Sequence, residues 1–267
     1  MPFLKIRDLD QLWYDQRGEG PDVLVISGTG SDMRRPPTAL DSPLAGKFRV
    51  TTYDQRGLGR TDKPEDGYTM ENYADDAAAV IEALGIGPCP VLGISFGGMV
   101  LQYLALRHPH LVSRMALFCT SPGGAGGASY PLHTLPVMGV EEKFRTMMRL
   151  SDSRVDDAWF ERDVERVEML RRRADKSEFA DEPGHLRGIK GQVQARAGHD
   201  CWDGLPSIQI PALVAGGTHD LTATPEAMAN MAGRLPNARM HLYNGGHMFF
   251  IQKPEAYDDL IAFFQEG

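Results

Sequence analysis

Apolar positions in this chain alternate between two rhythms. Short apolar runs at 12–15, 23–27, 49–53, 91–94 and 115–119 predict strands, and longer stretches with apolar residues three or four apart predict helices between them. The stretch 71–84 places Tyr73, Ala77, Val80, Ile81 and Leu84 on one face, and 96–107 continues directly from the fourth run. Strand and helix in alternation signify a parallel sheet with helices on both faces. The rhythm stops at Ser121-Pro122-Gly123-Gly124-Ala125-Gly126-Gly127, a glycine-rich connection. Helical patterns alone follow, at 140–150, 156–173 and 188–197. Strands at 212–216 and 238–243 then resume, with helices at 225–232 and 254–265. The reading is an α/β core, 1–121 and 207–267, interrupted by a helical cap at 122–206. Open α/β sheets bind ligands beyond the carboxyl ends of their strands, where such a cap excludes water.

Composition narrows the partners. A chain of 267 residues, 42% hydrophobic, buries a large core as one domain. Its formal charge of −8 argues against nucleic acid and anionic membranes. The basic run Arg171-Arg172-Arg173 shares its segment with Glu161, Glu165 and Glu168 and reads as a solvated face. Cys89, Cys119 and Cys201 are odd in number and widely spaced, which suits reduced thiols and offers no metal-ligand spacing. The first residues carry no secretory apolar run, and no segment is long and apolar enough to span a bilayer. The expectation is a cytoplasmic protein acting on a small molecule, with a homodimer left open.

The chemistry gathers at Gly93-Ile94-Ser95-Phe96-Gly97. A G-x-S-x-G pentapeptide between a buried strand and a helix predicts a nucleophile elbow, with Ser95 held proud of the sheet at a helix N-terminus. A serine nucleophile needs a base, and the base needs an orienting group. Of eight histidines, His108 and His110 close the helix after Ser95, and His133, His185 and His199 fall in the cap. His241 lies within a strand pattern, and His219 follows a strand directly. His247, in Asn244-Gly245-Gly246-His247 between the last strand and the last helix, sits where a flexible loop carries an imidazole to the sheet's mouth. The acid belongs at another strand end. Asp220, in Gly216-Gly217-Thr218-His219-Asp220, fits, whereas Cys119-Thr120-Ser121 offers no carboxylate. Two backbone donors complete an oxyanion hole: Phe96 N–H and a donor from Gly28-Thr29-Gly30-Ser31. That loop lacks both the lysine of a P-loop and the spacing of a dinucleotide site.

Together these motifs resemble the α/β-hydrolase superfamily over essentially the whole chain. Asp54-Gln55-Arg56-Gly57-Leu58-Gly59-Arg60-Thr61 is similar to the D-x-R-G-x-G-x-S/T segment of many members, where it braces the active-site loops. In finer detail the chain is similar to the single-cap group of 3-oxoadipate enol-lactonases, cofactor-free haloperoxidases and esterases. The resemblance implies a mostly parallel eight-stranded sheet, a Ser95–Asp220–His247 triad, and hydrolysis with no metal or organic cofactor. One departure stands out: Ser27-Gly28 replaces the His-Gly that usually opens the oxyanion loop. By position Thr29 N–H becomes the second oxyanion donor, and the loop needs another support, through Ser27, Thr29 or Asp32. Phe144, Met147, Met148, Trp159, Phe160 and Trp202 are candidates to line a pocket, and the same spacing suits the cap's own core. Arg34 and Arg35 are either surface groups or contacts for a substrate carboxylate. The function expected is cleavage of a small carboxylic ester or lactone through an acyl-enzyme. The same residues also serve C–C hydrolases of ring-cleavage products, acyltransferases or perhydrolases, and slow-turnover ligand receptors.

Overall fold

The computed structural model describes residues 2–135, 138–162, 164–174 and 177–266, apart from the side chains of 173 and 177. The amino-terminal part contains β1 (Phe3–Ile6), β2 (Leu9–Arg17), β3 (Asp22–Ile26), β4 (Arg49–Tyr53), α1 (Met70–Leu84), β5 (Cys89–Ile94), α2 (Phe96–Arg107) and β6 (Val112–Phe118). Next come α3 (Val140–Ser151), α4 (Asp157–Arg162), α5 (Val164–Ala174) and α6 (His185–Ala197). The chain closes with β7 (Ala212–Gly217), α7 (Pro225–Arg234), β8 (Ala238–Tyr243), α8 (Phe249–Gln252) and α9 (Glu255–Gln265).

The strands form one sheet in the order β1-β2-β4-β3-β5-β6-β7-β8. β2 pairs antiparallel with β1 and with β4, and the strands from β4 to β8 are parallel. The expected eight-stranded, mostly parallel sheet is therefore present. β1 is the strand that the apolar pattern misses, because this short edge buries little besides Ile6.

Side chains alternate across the sheet with the two-residue period of a strand. Leu24 and Ile26 of β3 face a core built with Tyr73 and Val80 of α1, Leu104 of α2 and Met228 of α7. Val23 and Val25 face the opposite core, with Phe249 of α8 and Leu260 and Phe263 of α9. Both faces are covered, as the near-continuous apolar runs require.

Segment 122–206 leaves and rejoins the sheet at one neck. Cys201 N–H donates to Pro122 O at 2.8 Å, and Gly123 bridges to Asp200. The long helix predicted over 156–173 is described as two pieces, α4 and α5, with residue 163 outside the described residues. Phe144, Val155, Phe160 and Val167 form a small core of their own here, with Met148, Trp159 and Leu170 packed on it. In the basic run, Arg171 pairs with Glu141 and Glu168 and Arg172 with Glu168, while the side chain of Arg173 lies outside the described residues. α6 packs directly on the core. A Cβ on Gly188 would stand 1.9 Å from Gly57 O, so only glycine permits this helix to lie on the loop after β4. Among the described residues no helix is long and apolar enough to cross a membrane. The three cysteines are buried and free.

Candidate active site

Ser95 stands between β5 and α2 with φ 54° and ψ −114°, a conformation that L-residues rarely adopt. The turn is tight because α2 starts against β3: a Cβ on Gly97 would lie 1.9 Å from Ile26 O. Phe96 is the first residue of α2, where backbone N–H groups have no intrahelical acceptor. Ser95 N–H donates to Phe118 O at 2.8 Å, which ties the elbow to the end of β6.

His247 reaches Ser95 from the loop after β8. Its Nε2 lies 3.1 Å from Ser95 Oγ and its Nδ1 lies 2.7 Å from Asp220 Oδ2. Its backbone N–H donates to Ser151 O at 2.5 Å, so the loop rests on the end of α3. Asp220 follows β7 and is fully buried. Its Oδ1 accepts from Thr222 N–H at 2.7 Å and Ala223 N–H at 3.0 Å, leaving Oδ2 to the imidazole. The three residues chosen from the sequence thus form a continuous chain, Ser95 to His247 to Asp220. Such a chain can transfer the hydroxyl proton to the ring while the carboxylate fixes the tautomer.

The loop after β3 lies against the nucleophile: a Cβ on Gly28 would be 3.6 Å from Ser95 Cβ. Three side chains hold it. Gln55 Nε2 donates to Ser27 O at 2.8 Å, Asp54 Oδ1 accepts from Met33 N–H at 2.8 Å, and Gln192 Oε1 accepts from Gly30 N–H at 2.7 Å. The first two belong to the Asp54–Thr61 motif, whose Arg56 is fully buried against Asp76 at 2.6 Å. Burial pushes the Asp54 carboxyl up to about 6. Ser27, Thr29 and Asp32 offer less support. Asp32 is engaged by Arg34, and Thr29 Oγ1 is buried without a partner. Gln192, from α6, is the residue that sequence reasoning missed, because its partner lies 162 positions away.

The remaining candidates fall elsewhere. Phe144 and Trp159 pack in the small core with Phe160, and Met147 is a half-buried residue of α3 that does not belong to that core. Trp202 lies beneath the Arg234 guanidinium. A cleft of about 880 Å³ opens beside the oxyanion loop, between Ser27, Gly30 and Arg34 on one side and Val164, Met169 and Arg172 on the other. Phe144, Met147 and Trp159 do not line it, and its wall stops short of Ser95 and His247. Arg34 is committed to Asp32 and Glu182 and stacks on Phe179, while Arg35 faces Glu178 at 3.8 Å. Among the described residues no group of three or more His, Cys, Asp or Glu side chains could hold a metal ion.

Comparison with known proteins gives a consistent set of similarities. A family profile described as the alpha/beta hydrolase fold matches residues 21–254. The 2-hydroxymuconate semialdehyde hydrolase of Pseudomonas putida is 29% identical over 266 residues, covering 94% of this chain and 89% of that protein. The non-heme chloroperoxidase of Streptomyces lividans is 31% identical over 234 residues, covering 82% and 83% respectively. The crystal structure of the enol-lactonase from Burkholderia xenovorans LB400 superimposes with a TM-score of 0.79 at 24% identity, covering 99% of this chain and all of that one, a likeness of fold.

Proposed function

Because the chain belongs to the α/β-hydrolase family, we propose that it is a serine hydrolase that cleaves a small-molecule carboxylic ester or lactone through an acyl-enzyme on Ser95. The observation that carries this reading is the Ser95 Oγ–His247 Nε2–Asp220 relay, at 3.1 and 2.7 Å, on a serine with positive φ. Ser95 Oγ attacks the carbonyl carbon while His247 Nε2 takes its proton. Asp220 holds the imidazole with Nε2 unprotonated before the attack and stabilises the imidazolium afterwards. Phe96 N–H and Thr29 N–H receive the oxyanion. Collapse of the tetrahedral intermediate expels the alkoxide, which takes the proton from His247. Water, deprotonated by the same ring, then attacks the acyl-enzyme and releases the acid. Helices α3–α6 act as the cap over this site, and the cleft beside Gly30 lies within the size range of small-molecule pockets.

The test is intact mass after treatment with a fluorophosphonate, with peptide mapping and Ser95→Ala as control. One adduct per chain on Ser95, absent from the variant, is expected. A folded protein that takes up no adduct would remove the activated serine and with it the hydrolase reading. A second reading, hydrolysis of a C–C bond, is favoured by the similarity to 2-hydroxymuconate semialdehyde hydrolase. Product analysis on a ring-cleavage diketone separates the two, because an ester or lactone hydrolase leaves that carbon skeleton intact.

A further inference from the structure

The loops that carry the acid and the base of the relay both rest on one short turn, residues 150–154, where α3 ends. The backbone of this turn bonds to the two loops alternately. Leu150 O accepts from Leu221 N–H at 3.0 Å, Ser151 O accepts from His247 N–H at 2.5 Å, and Ser153 N–H donates to His219 O at 2.9 Å. The approach is close. A Cβ on Gly246 would stand 2.3 Å from Ser151 O and 2.7 Å from Asp152 Cβ, so the residue before His247 has no room for a side chain. Thr222 Oγ1 adds a further bond on the acid side, donating to Leu150 O at 3.2 Å. Among the described residues the base loop has one backbone bond to this turn, and side chains supply the rest.

Arg154 is the centre of that side-chain contact. Asp152 holds its guanidinium side-on, with Nε donating to Oδ1 at 2.8 Å and Nη2 to Oδ2 at 2.6 Å. This bidentate geometry fixes the plane of an arginine. The Asp152 side chain is 11% exposed. Burial pushes its carboxyl up, but the hydrogen bonds from Arg154 outweigh that and bring it below its ordinary value, so the pair is charged at neutral pH. The fork then meets the base loop at two points: Nη1 donates to Asn244 Oδ1 at 3.2 Å, and Nη2 donates to Gln252 Oε1 at 3.3 Å. Asn244 precedes Gly245-Gly246-His247, and Gln252 closes α8 beyond it, so one guanidinium spans both ends of the loop. Gln252 Oε1 also accepts from Gly246 N–H at 3.0 Å, the amide next to His247.

An ion pair with an exposed arginine contributes little to stability. Two consecutive glycines before a histidine give its backbone wide latitude, and this clasp removes it. We propose that Arg154, oriented by Asp152, is a positioning residue for His247: it fixes the base loop against the end of α3 and so keeps Nε2 within reach of Ser95 Oγ. Because α3 belongs to segment 122–206, the segment that covers the site also seats its base. This rests on the hydrolase reading above and adds to that site a residue outside the relay.

The experiment compares wild type with Arg154→Met, which removes the fork from a side chain 44% exposed, and with Asp152→Asn, which loses the ion pair. Hydrolysis of a phenyl ester should show kcat lowered about 10-fold in both, with KM changed less than about twofold. A misplacement of 1 Å costs about 10²-fold, and the bond to Ser151 O still limits the drift. Deuterium exchange of the peptide holding Gly246 and His247 should quicken about 3–10-fold, the size of one hydrogen bond. A merely structural pair would lower stability and leave kcat at the wild-type value. Folded Arg154→Met protein with wild-type kcat, or with wild-type exchange in this peptide, overturns the assignment. If the wild type turns over no ester and Ser95 takes no fluorophosphonate, the hydrolase reading has failed on its own account. Exchange then decides the clasp: a quickened Gly246–His247 peptide in Arg154→Met supports it, and an unchanged one overturns it.

Discussion

Gln192→Met should slow turnover by disturbing a loop that Gln192 braces through a hydrogen bond. Its Oε1 accepts from Gly30 N–H at 2.7 Å, and Gly30 follows Thr29, the residue proposed to present the second oxyanion donor. Methionine preserves length and volume but offers no comparable acceptor, so a part-buried N–H loses this acceptor. That loss costs about 0.5–1.5 kcal/mol. It is felt as a shift in the loop, because Gln55 and Asp54 still hold it at Ser27 and Met33. Losing one oxyanion donor typically lowers kcat by about 10²–10³-fold. A loop displaced but still anchored on both sides should lie near the lower end, about 10²-fold, with KM changed less than about threefold. The assay is steady-state hydrolysis of a phenyl ester, together with inhibition by an alkylboronic acid, whose adduct on Ser95 carries the tetrahedral charge. Boronate affinity should fall in parallel with kcat, while affinity for the acid product changes less. A folded Gln192→Met protein with unaltered kcat and unaltered boronate inhibition would refute the brace.

Two other outcomes follow from the same geometry. Asp220→Asn removes the carboxylate 2.7 Å from His247 Nδ1 and should lower kcat by about 10⁴-fold, as loss of the acid does in serine triads generally, with the fold retained; an unchanged rate would place the acid elsewhere. His199 makes stability depend on pH, because burial holds its imidazole at about 4 in the folded chain against an ordinary 6.5. Between those values the unfolded chain binds a proton that the folded chain refuses, so stability falls as pH falls from 6.5 towards 4. The groups facing it are Ser121 O, Asp200 and Arg196, and the loss amounts to about 2–3 kcal/mol by pH 4.5. Urea unfolding of the His199→Gln protein should show an acid limb shallower by that amount than wild type. Superimposable acid limbs would mean that His199 does not carry the effect.

What the sequence made legible was local. Ser95, Asp220 and His247 each sit at a strand end flagged by nearby glycines, and a strand end in a parallel sheet has one place to go. Their meeting could be expected without knowing a single tertiary contact. β1 escaped notice because an edge strand with one buried side chain leaves almost no apolar signature. Phe144 and Trp159 illustrate the opposite limit: aromatic residues at helical spacing must pack against something, and here they pack against Phe160. α6 is the instructive case. His185, Arg187, Lys190, Gln192, Gln194 and Arg196 among its 13 residues are polar and carry no apolar signal of burial. What buries one side of the helix is Gly188 on Gly57 O and Gly191 on the Tyr68 ring, two close approaches between segments more than 100 residues apart. Once the helix lies that near the strand ends, its polar side chains are carried inward and water is excluded around them. A hydrogen-bonding requirement then appears that no periodicity announces, which Gln192 meets through the Gly30 N–H. Arg196 meets the same requirement at Nη1, through Tyr130 O, while its Nε and Nη2 stay unpaired.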